Sequence, residues 1–240
     1  MPTSRRAAAF AGLLALTFAL TGCLGGAPSA APTPGSATPT PTAEPTPTPE
    51  PEDALTTVVG LVARPEGLEL RAADGSVVTI LDYMSQPADA VTALTAVFGA
   101  PPVHEPYPGN NHQPAGVFHR WDLFVLDERF YDEARRQAEG YDWLVWPRFA
   151  VYFDGPAVDD VTLSSSSGLQ AGDAWADAEA DPGFDAGLWT CIGTSIEAAD
   201  VTVPSGWAGP DRATVVVLPT DDGTRVKWMG APEMEADGCA

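Results

Sequence analysis

Positive charge is what this chain has least of. Twelve lysines and arginines stand against 33 aspartates and glutamates in 240 residues, a formal charge of −21, and Lys227 is the single lysine. Such a surface repels phosphate backbones and anionic lipid headgroups, which argues against nucleic acid as a partner. Long apolar runs are also missing. The longest, Ala7 to Leu20, has 14 residues, short of the roughly 20 that a membrane-spanning helix needs. Familiar catalytic patterns are absent too. There is no Gly-x-Ser-x-Gly pentapeptide to expose a serine on a nucleophile elbow, and Lys227 has no serine three residues before it to complete Ser-x-x-Lys. His104-Glu105 runs into Pro106-Tyr107, so the helix with a second histidine that zinc proteases use is lacking.

What is present begins with a targeting pattern. Arg5 and Arg6 form a positive n-region, Ala7 to Leu20 the apolar core, and small residues precede Cys23. Leu20-Thr21-Gly22-Cys23 resembles the lipobox of bacterial lipoproteins. That resemblance implies removal of residues 1–22, diacylglycerol on the Cys23 thiol, and a place on the outer face of the plasma membrane. An ordinary secretory peptide is the competing reading. Two acyl chains at about 0.8 kcal/mol per buried methylene give stable anchoring where one chain does not. Cleavage would take two arginines and no acid, moving the charge from −21 to −23.

Residues 23–52 follow as lipidated cysteine and stalk. From Leu24 to Glu52 the composition is almost wholly Pro, Thr, Ala, Ser, Gly and Glu, with Thr-Pro alternating through Thr38 to Pro49. Proline locks φ and removes a donor, so this stretch reads as disordered, extended polyproline II, with a reach on the order of 90 Å. Its threonines either carry O-linked sugars or stand bare.

Residues 53–240 hold the folded part. Hydrophobic residues make up 45% of the chain, with seven tryptophans, enough for a core despite the acidity. Leu68 to Arg71, Asp74-Gly75 and Val77 to Leu81 predict a hairpin. A helix follows, with Ser85 as N-cap, Val91, Leu94 and Phe98 on one face, and Gly99 with Pro101-Pro102 as its stop. Residues 103–117 read as a polar Pro/Gly loop. Trp121, Leu123 and Val125 alternate with polar residues as a half-buried strand. Asp127 to Glu139 fits a short helix closed by Gly140. Phe149, Val151 and Phe153 make one strand and Val158, Val161 and Leu163 another, joined by Asp154-Gly155-Pro156. Beyond it, Gly168 to Asp173 leads into a helix with Asp173 as N-cap and Trp175 and Ala178 inside. Strands then follow around Leu188 to Thr194 and Ile196 to Val203. A last hairpin sets Val215 and Val217 against Val226 and Trp228 across Asp221-Asp222-Gly223. Helix then antiparallel strands, twice, predicts an α+β fold: an antiparallel sheet with short helices, and a restart that would divide the domain into 53–166 and 167–240.

The run from Trp121 through Phe149-Ala150-Val151 to Val161, then Gly168-Leu169-Gln170-Ala171-Gly172-Asp173-Ala174, resembles uncharacterised actinobacterial lipoproteins. That likeness spans much of 53–240 and brings no activity with it. A helix unit before an antiparallel sheet, repeated, is similar in architecture to the beta-lactamase inhibitor protein and to outer-membrane assembly lipoproteins, and no functional motif transfers from architecture.

Four groups of residues are candidates for chemistry. With Cys23 assigned to lipid, Cys191 and Cys239 are an even pair in an oxidising compartment, either a disulfide or two free thiols. His104, His112 and His119 could meet at a metal, yet their spacing matches no standard site, so no metal or cofactor is assigned. Asp173, Asp177, Glu179, Asp181 and Asp185 lack the glycine and terminal glutamate of a calcium loop and read as a solvated face. Tyr141, Trp143 and Trp146 are either core or a contact surface for a protein or sugar partner. No catalytic residue is assigned. The expectation is a membrane-anchored, noncatalytic module binding a protein or a cell-wall component. Its rivals are an envelope hydrolase with an unidentified carboxylate pair and a solute-binding lipoprotein.

Overall fold

Short runs of branched and aromatic residues between Gly, Pro and Asp turns favour strands over helices along most of this chain. The computed structural model describes residues 54–110, 114–131, 147–187, 193–201 and 211–235. Its elements run β1 (Val58–Ala63), β2 (Gly67–Ala72), β3 (Val77–Asp82), helix α1 (Pro87–Phe98), β4 (Val103–Tyr107), β5 (Gly116–Trp121) and β6 (Phe124–Arg129). They continue as β7 (Phe149–Phe153), β8 (Ala157–Val158), β9 (Val161–Ser165), a short α2 (Trp175–Glu179), β10 (Ser195–Val201), β11 (Asp211–Pro219) and β12 (Val226–Glu235). Five strands form one sheet, ordered β3-β2-β1-β9-β8, and seven form the other, ordered β10-β11-β12-β7-β6-β5-β4. All pairings are antiparallel except β1 with β9. The fold is α+β.

Both sheets feed one core. Leu61, Leu68 and Leu70 come from the first sheet, Phe124, Leu126, Phe149, Val151 and Phe153 from the second, Leu94 from α1 and Ala178 from α2. Each fully buried large apolar side chain contributes roughly 1.5–3 kcal/mol. Phe98, at the end of α1, lies 5.5 Å from the Trp121 ring and 5.4 Å from Phe124. The Trp121 indole donates to the Ala100 carbonyl at 2.8 Å, tying the helix exit to β5. The helix thus closes the core over the strands that carry the polar clusters described below.

Several sequence expectations change. β1 is an additional strand. α1 starts from Gln86, not Ser85, and without a side-chain cap, because Pro87 presets φ at the first helical position and holds Gln86 extended (φ −69°, ψ 124°). Gly99, at φ 67°, ends it as expected. Within 103–117, β4 replaces part of the loop; Pro106 is tolerated there because β4 is a sheet edge. The strand through Trp121, Leu123 and Val125 is a hairpin turned at Asp122, which takes φ 50°, so Trp121 faces Phe124 across it. Asp127 opens no helix: it pairs as β6 with Phe118 and Ala150 on either side. Val158 belongs to β8 and Val161 to β9, and Asp154-Gly155-Pro156 carries the chain from one sheet to the other. Asp173 does not cap α2; Ala174 holds that place, and the Asp173 carboxylate instead accepts from the Gln170 amide at 2.8 Å. The last hairpin exists in a shifted register, Val217 opposite Met229 and Leu218 opposite Trp228. Among the described residues, β10, β11 and β12 extend the sheet of the first part, because Met229 of β12 pairs with Phe153 of β7.

Candidate functional site

Period-two alternation splits β6. Phe124 and Leu126 enter the core, while Val125, Asp127 and Arg129 occupy the other face of the seven-stranded sheet. There a polar cluster forms. Asp127 is fully buried; one carboxylate oxygen accepts from the Tyr107 hydroxyl at 2.6 Å and the other from the Arg129 Nε at 3.0 Å. Arg129 also donates Nη2 to the Tyr152 hydroxyl at 3.1 Å. Glycines make room for both tyrosines. Tyr107 stacks on Phe118 at 4.5 Å and crosses Gly116, where a Cβ would come within 2.3 Å of the hydroxyl oxygen. Tyr152 lies over Gly230, with 2.6 Å between a Cβ there and its ring.

The electrostatics follow from this packing. Burial pushes the Tyr152 hydroxyl up to about 12, with Arg129 pulling the other way. Burial works against the charge on Arg129, but Tyr152, Asp127, Tyr131 and Glu233 outweigh it and its pKa rises. Burial raises the Glu233 carboxyl, opposed by Arg129 and reinforced by Asp127. The Asp127 carboxylate, the Arg129 guanidinium and the Tyr107 and Tyr152 hydroxyls are thus held to one another.

A second chain of bonds begins at the neighbouring residue. His104 of β4 and His119 of β5 are cross-strand partners, their Nδ1 atoms 2.8 Å apart and their rings edge to face. His119 Nε2 lies 2.8 Å from the Glu128 carboxylate. A carboxylate only accepts, so His119 Nε2 carries a proton and donates. Across the 2.8 Å contact one Nδ1 donates and the other accepts, which ties the His104 ring to His119. His119 is buried and His104 exposed, so the series Glu128–His119–His104 presents a fixed ring nitrogen at the sheet edge. Val103, 63% exposed, precedes His104 in β4 with its side chain on the opposite face.

Two of the three histidines considered for a metal, His104 and His119, contact one another directly. Two nitrogens bound to one zinc at 2.0–2.1 Å in tetrahedral geometry lie roughly 3.3 Å apart, and His104 and His119 are closer than that because a proton joins them. Among the described residues no group of three or more metal-binding side chains is arranged around an ion position. His112 lies outside the described residues, as do Cys23, Cys191, Cys239, Tyr141, Trp143 and Trp146.

Three more acids of the α2 cluster accept local hydrogen bonds. Asp181 accepts from the Gly183 amide, Asp185 from the Gly187 amide, and Glu179 from the Trp175 indole. Carboxylate pairs come together on arginines elsewhere: Glu69 and Glu197 approach Arg64 Nε at 3.9 and 3.0 Å, and Glu105 and Asp154 approach Arg120 at 3.6 and 3.1 Å. Glu69 also accepts from Arg71 at 2.9 Å and Glu197 from Ser166. Glu69 is thus shared between two arginines, and Glu197 between an arginine and a serine hydroxyl.

No family model, curated protein or solved structure matches this chain. Function is therefore argued from its residues alone. Sequence reasoning singled out His104 and His119 but not Asp127, Arg129, Tyr107, Tyr152 or Glu128. Gly116 was the available signal, a glycine opening an otherwise bulky Val-Phe-His-Arg-Trp strand, which marks a close approach.

Proposed function

We propose that this chain is a lipid-anchored extracytoplasmic protein, held on the outer face of the plasma membrane through Cys23, whose folded body binds a protein or an envelope component without catalysis. The observation that carries the anchor is the order Arg5-Arg6, apolar core, Leu20-Thr21-Gly22-Cys23, then a Pro/Thr stalk. Among the described residues no helix is long and apolar enough to cross a membrane. For the body, the support is chemical: Asp127, Glu69 and Glu197 each sit on an arginine, whereas exposed His104 is held by His119 on an edge strand whose other face carries exposed Val103. An aromatic and histidine-bearing edge of this sort suits recognition, since its groups are rigid before a partner arrives.

Feeding an expressing bacterium an alkyne-tagged palmitate tests the anchor. The full chain should take up label and sediment with membranes, and Cys23→Ser should lose both. Unlabelled wild-type protein in the medium would refute the anchor. A photo-crosslinking residue at position 103 should capture one partner repeatedly, and His104→Ala should weaken that capture while leaving the melting curve in place. Hydrolysis of wall glycans that Glu69→Gln or Glu197→Gln abolishes would favour the hydrolase instead.

A further inference from the structure

The histidine contact at the β4 edge limits how much charge the two rings can hold. Their Nδ1 atoms are 2.8 Å apart, so one proton lies between them, with one ring donating and the other accepting. The Glu128 carboxylate requires another on His119 Nε2. The remaining nitrogen is His104 Nε2, on an exposed ring. Filling it gives a singly charged pair in which both hydrogen bonds survive. A further proton would have to enter the Nδ1 contact, where two N–H groups would then point at one another. It would also set two positive rings with centroids 4.8 Å apart, one of them buried.

Few other charges bear on this side of the sheet. Alternation turns Glu105 of β4, Arg120 of β5, and Asp127 and Arg129 of β6 to the opposite side, where Glu105 and Asp154 hold Arg120 and Asp127 holds Arg129. On β7, Phe149 stands opposite Glu128, with Arg148 before it. Helix α1, packed on this side through Phe98 and Trp121, carries Asp89 as its one charged residue. Asp82, at the end of β3, accepts from the Met84 amide. Among the described residues Glu128 is the charged group bonded to the pair.

β4 is an edge strand fixed on both sides of His104. Before it, the Trp121 indole holds the Ala100 carbonyl; after it, the Tyr107 hydroxyl holds Asp127. Pro106 has no N–H to add to the ladder. Val103 to Glu105 lie between these fixed points, opposite Arg120 to Phe118.

We propose that His104 and His119 form an acid-sensitive clasp, which holds Val103 to Glu105 against β5 while the pair carries at most one positive charge and releases them when both rings are charged. Imidazoles take up protons between about pH 8 and pH 5. Over that range the unfolded chain takes one on each ring, whereas the closed clasp admits one for the two. The folded state then binds fewer protons than the unfolded state, so stability falls as pH drops. This clasp depends neither on the lipid anchor nor on a bound partner.

The experiment unfolds the full chain, extracted in detergent, with urea at about pH 7 and about pH 5, beside His104→Gln. A glutamine amide donates to neutral His119 and its carbonyl accepts from charged His119, so the variant keeps a bond at both values. From the higher pH to the lower, the wild-type midpoint should fall by about 0.4 M more than that of His104→Gln, the loss of one hydrogen bond. Carboxylates outside the pair, Glu233 included, titrate in both chains and drop out of the difference. In wild type, hydrogen exchange over Val103 to Glu105, corrected for the intrinsic rate, should quicken about fivefold at the lower pH, while Phe124 to Leu126 stay protected. The proposal fails if the two midpoints move in parallel, or if exchange over Val103 to Glu105 does not quicken. Should His104→Gln not fold, the exchange measurement on wild type decides.

Discussion

Gly116 shows how a single missing methyl group holds a polar cluster together. A Cβ there would sit 2.2 Å from the Glu128 carbonyl oxygen and 2.3 Å from the Tyr107 hydroxyl, distances no side chain tolerates. Gly116→Ala should displace Tyr107 from Asp127, leave a buried carboxylate one donor short, and cost about 2–4 kcal/mol in urea unfolding. A loss under about 0.5 kcal/mol, the range of neutral surface changes, would mean the tyrosine bond is dispensable. Arg129 is the stronger lever: Arg129→Met strands buried Asp127 without its cation, a change that costs about 3–5 kcal/mol in comparable sites. Glu233 adds a pH dependence with an unusual sign. Its carboxyl is raised by burial above the ordinary 4.5, so between that value and its folded pKa the folded chain holds a proton that the unfolded chain has released. Its contribution to stability is full below about 4.5 and is lost as pH rises through the folded value. In urea midpoints from pH 4.5 to 8, wild type should decline relative to Glu233→Gln as pH rises; parallel curves would remove Glu233 from the account.

At the scale of elements, Gly99 separates conformation from packing. It ends α1 at φ 67° with open space where a Cβ would go, so Gly99→Ala should cost only the left-handed penalty, about 1 kcal/mol, in thermal or urea unfolding. A cost as large as that of Gly116→Ala would show the open space to be an illusion. This helix and the β2–β3 hairpin were legible in the sequence because local signals act alone there: Asp74-Gly75 adopts its turn with Gly75 at φ 81°, and Gly99 stops a helix whatever surrounds it. β1 was not legible, since Val58-Val59-Gly60-Leu61-Val62-Ala63 does not alternate; it lies between β2 and β9, and every residue but Val59 is buried. β4 was hidden by Pro106, which would break an inner strand and is harmless on an edge. The polar cluster was missed for a related reason. Asp127 and Arg129 sit in a charged stretch with helical spacing, and only long-range pairing with β5 and β7 makes it a strand. His104 and His119 were visible as residues, but their meeting depends on a register that no local pattern specifies.

For the whole molecule the governing quantity is charge. Thirty-three acids against twelve basic residues leave a surface on which most charged neighbours share a sign, and compaction brings them together. Surface pairs such as Arg120 with Asp154 at 3.1 Å act oppositely, but exposed pairs of this kind contribute only about 0–1 kcal/mol each. Basic residues are too few for pairs to offset the repulsion among the remaining acids. Raising ionic strength from about 0.01 to 0.15 M shortens the screening length from about 30 to 8 Å, which weakens both effects, and the repulsion is the larger. The melting temperature should therefore rise over that range in sodium chloride, and charge-reversing substitutions of exposed acids, such as Asp159→Lys and Asp160→Lys, should shrink the rise. A melting temperature that falls as sodium chloride is added would show instead that the few arginine pairs dominate, and with them the view of this body as an acidic shell around one shared core would have to be given up.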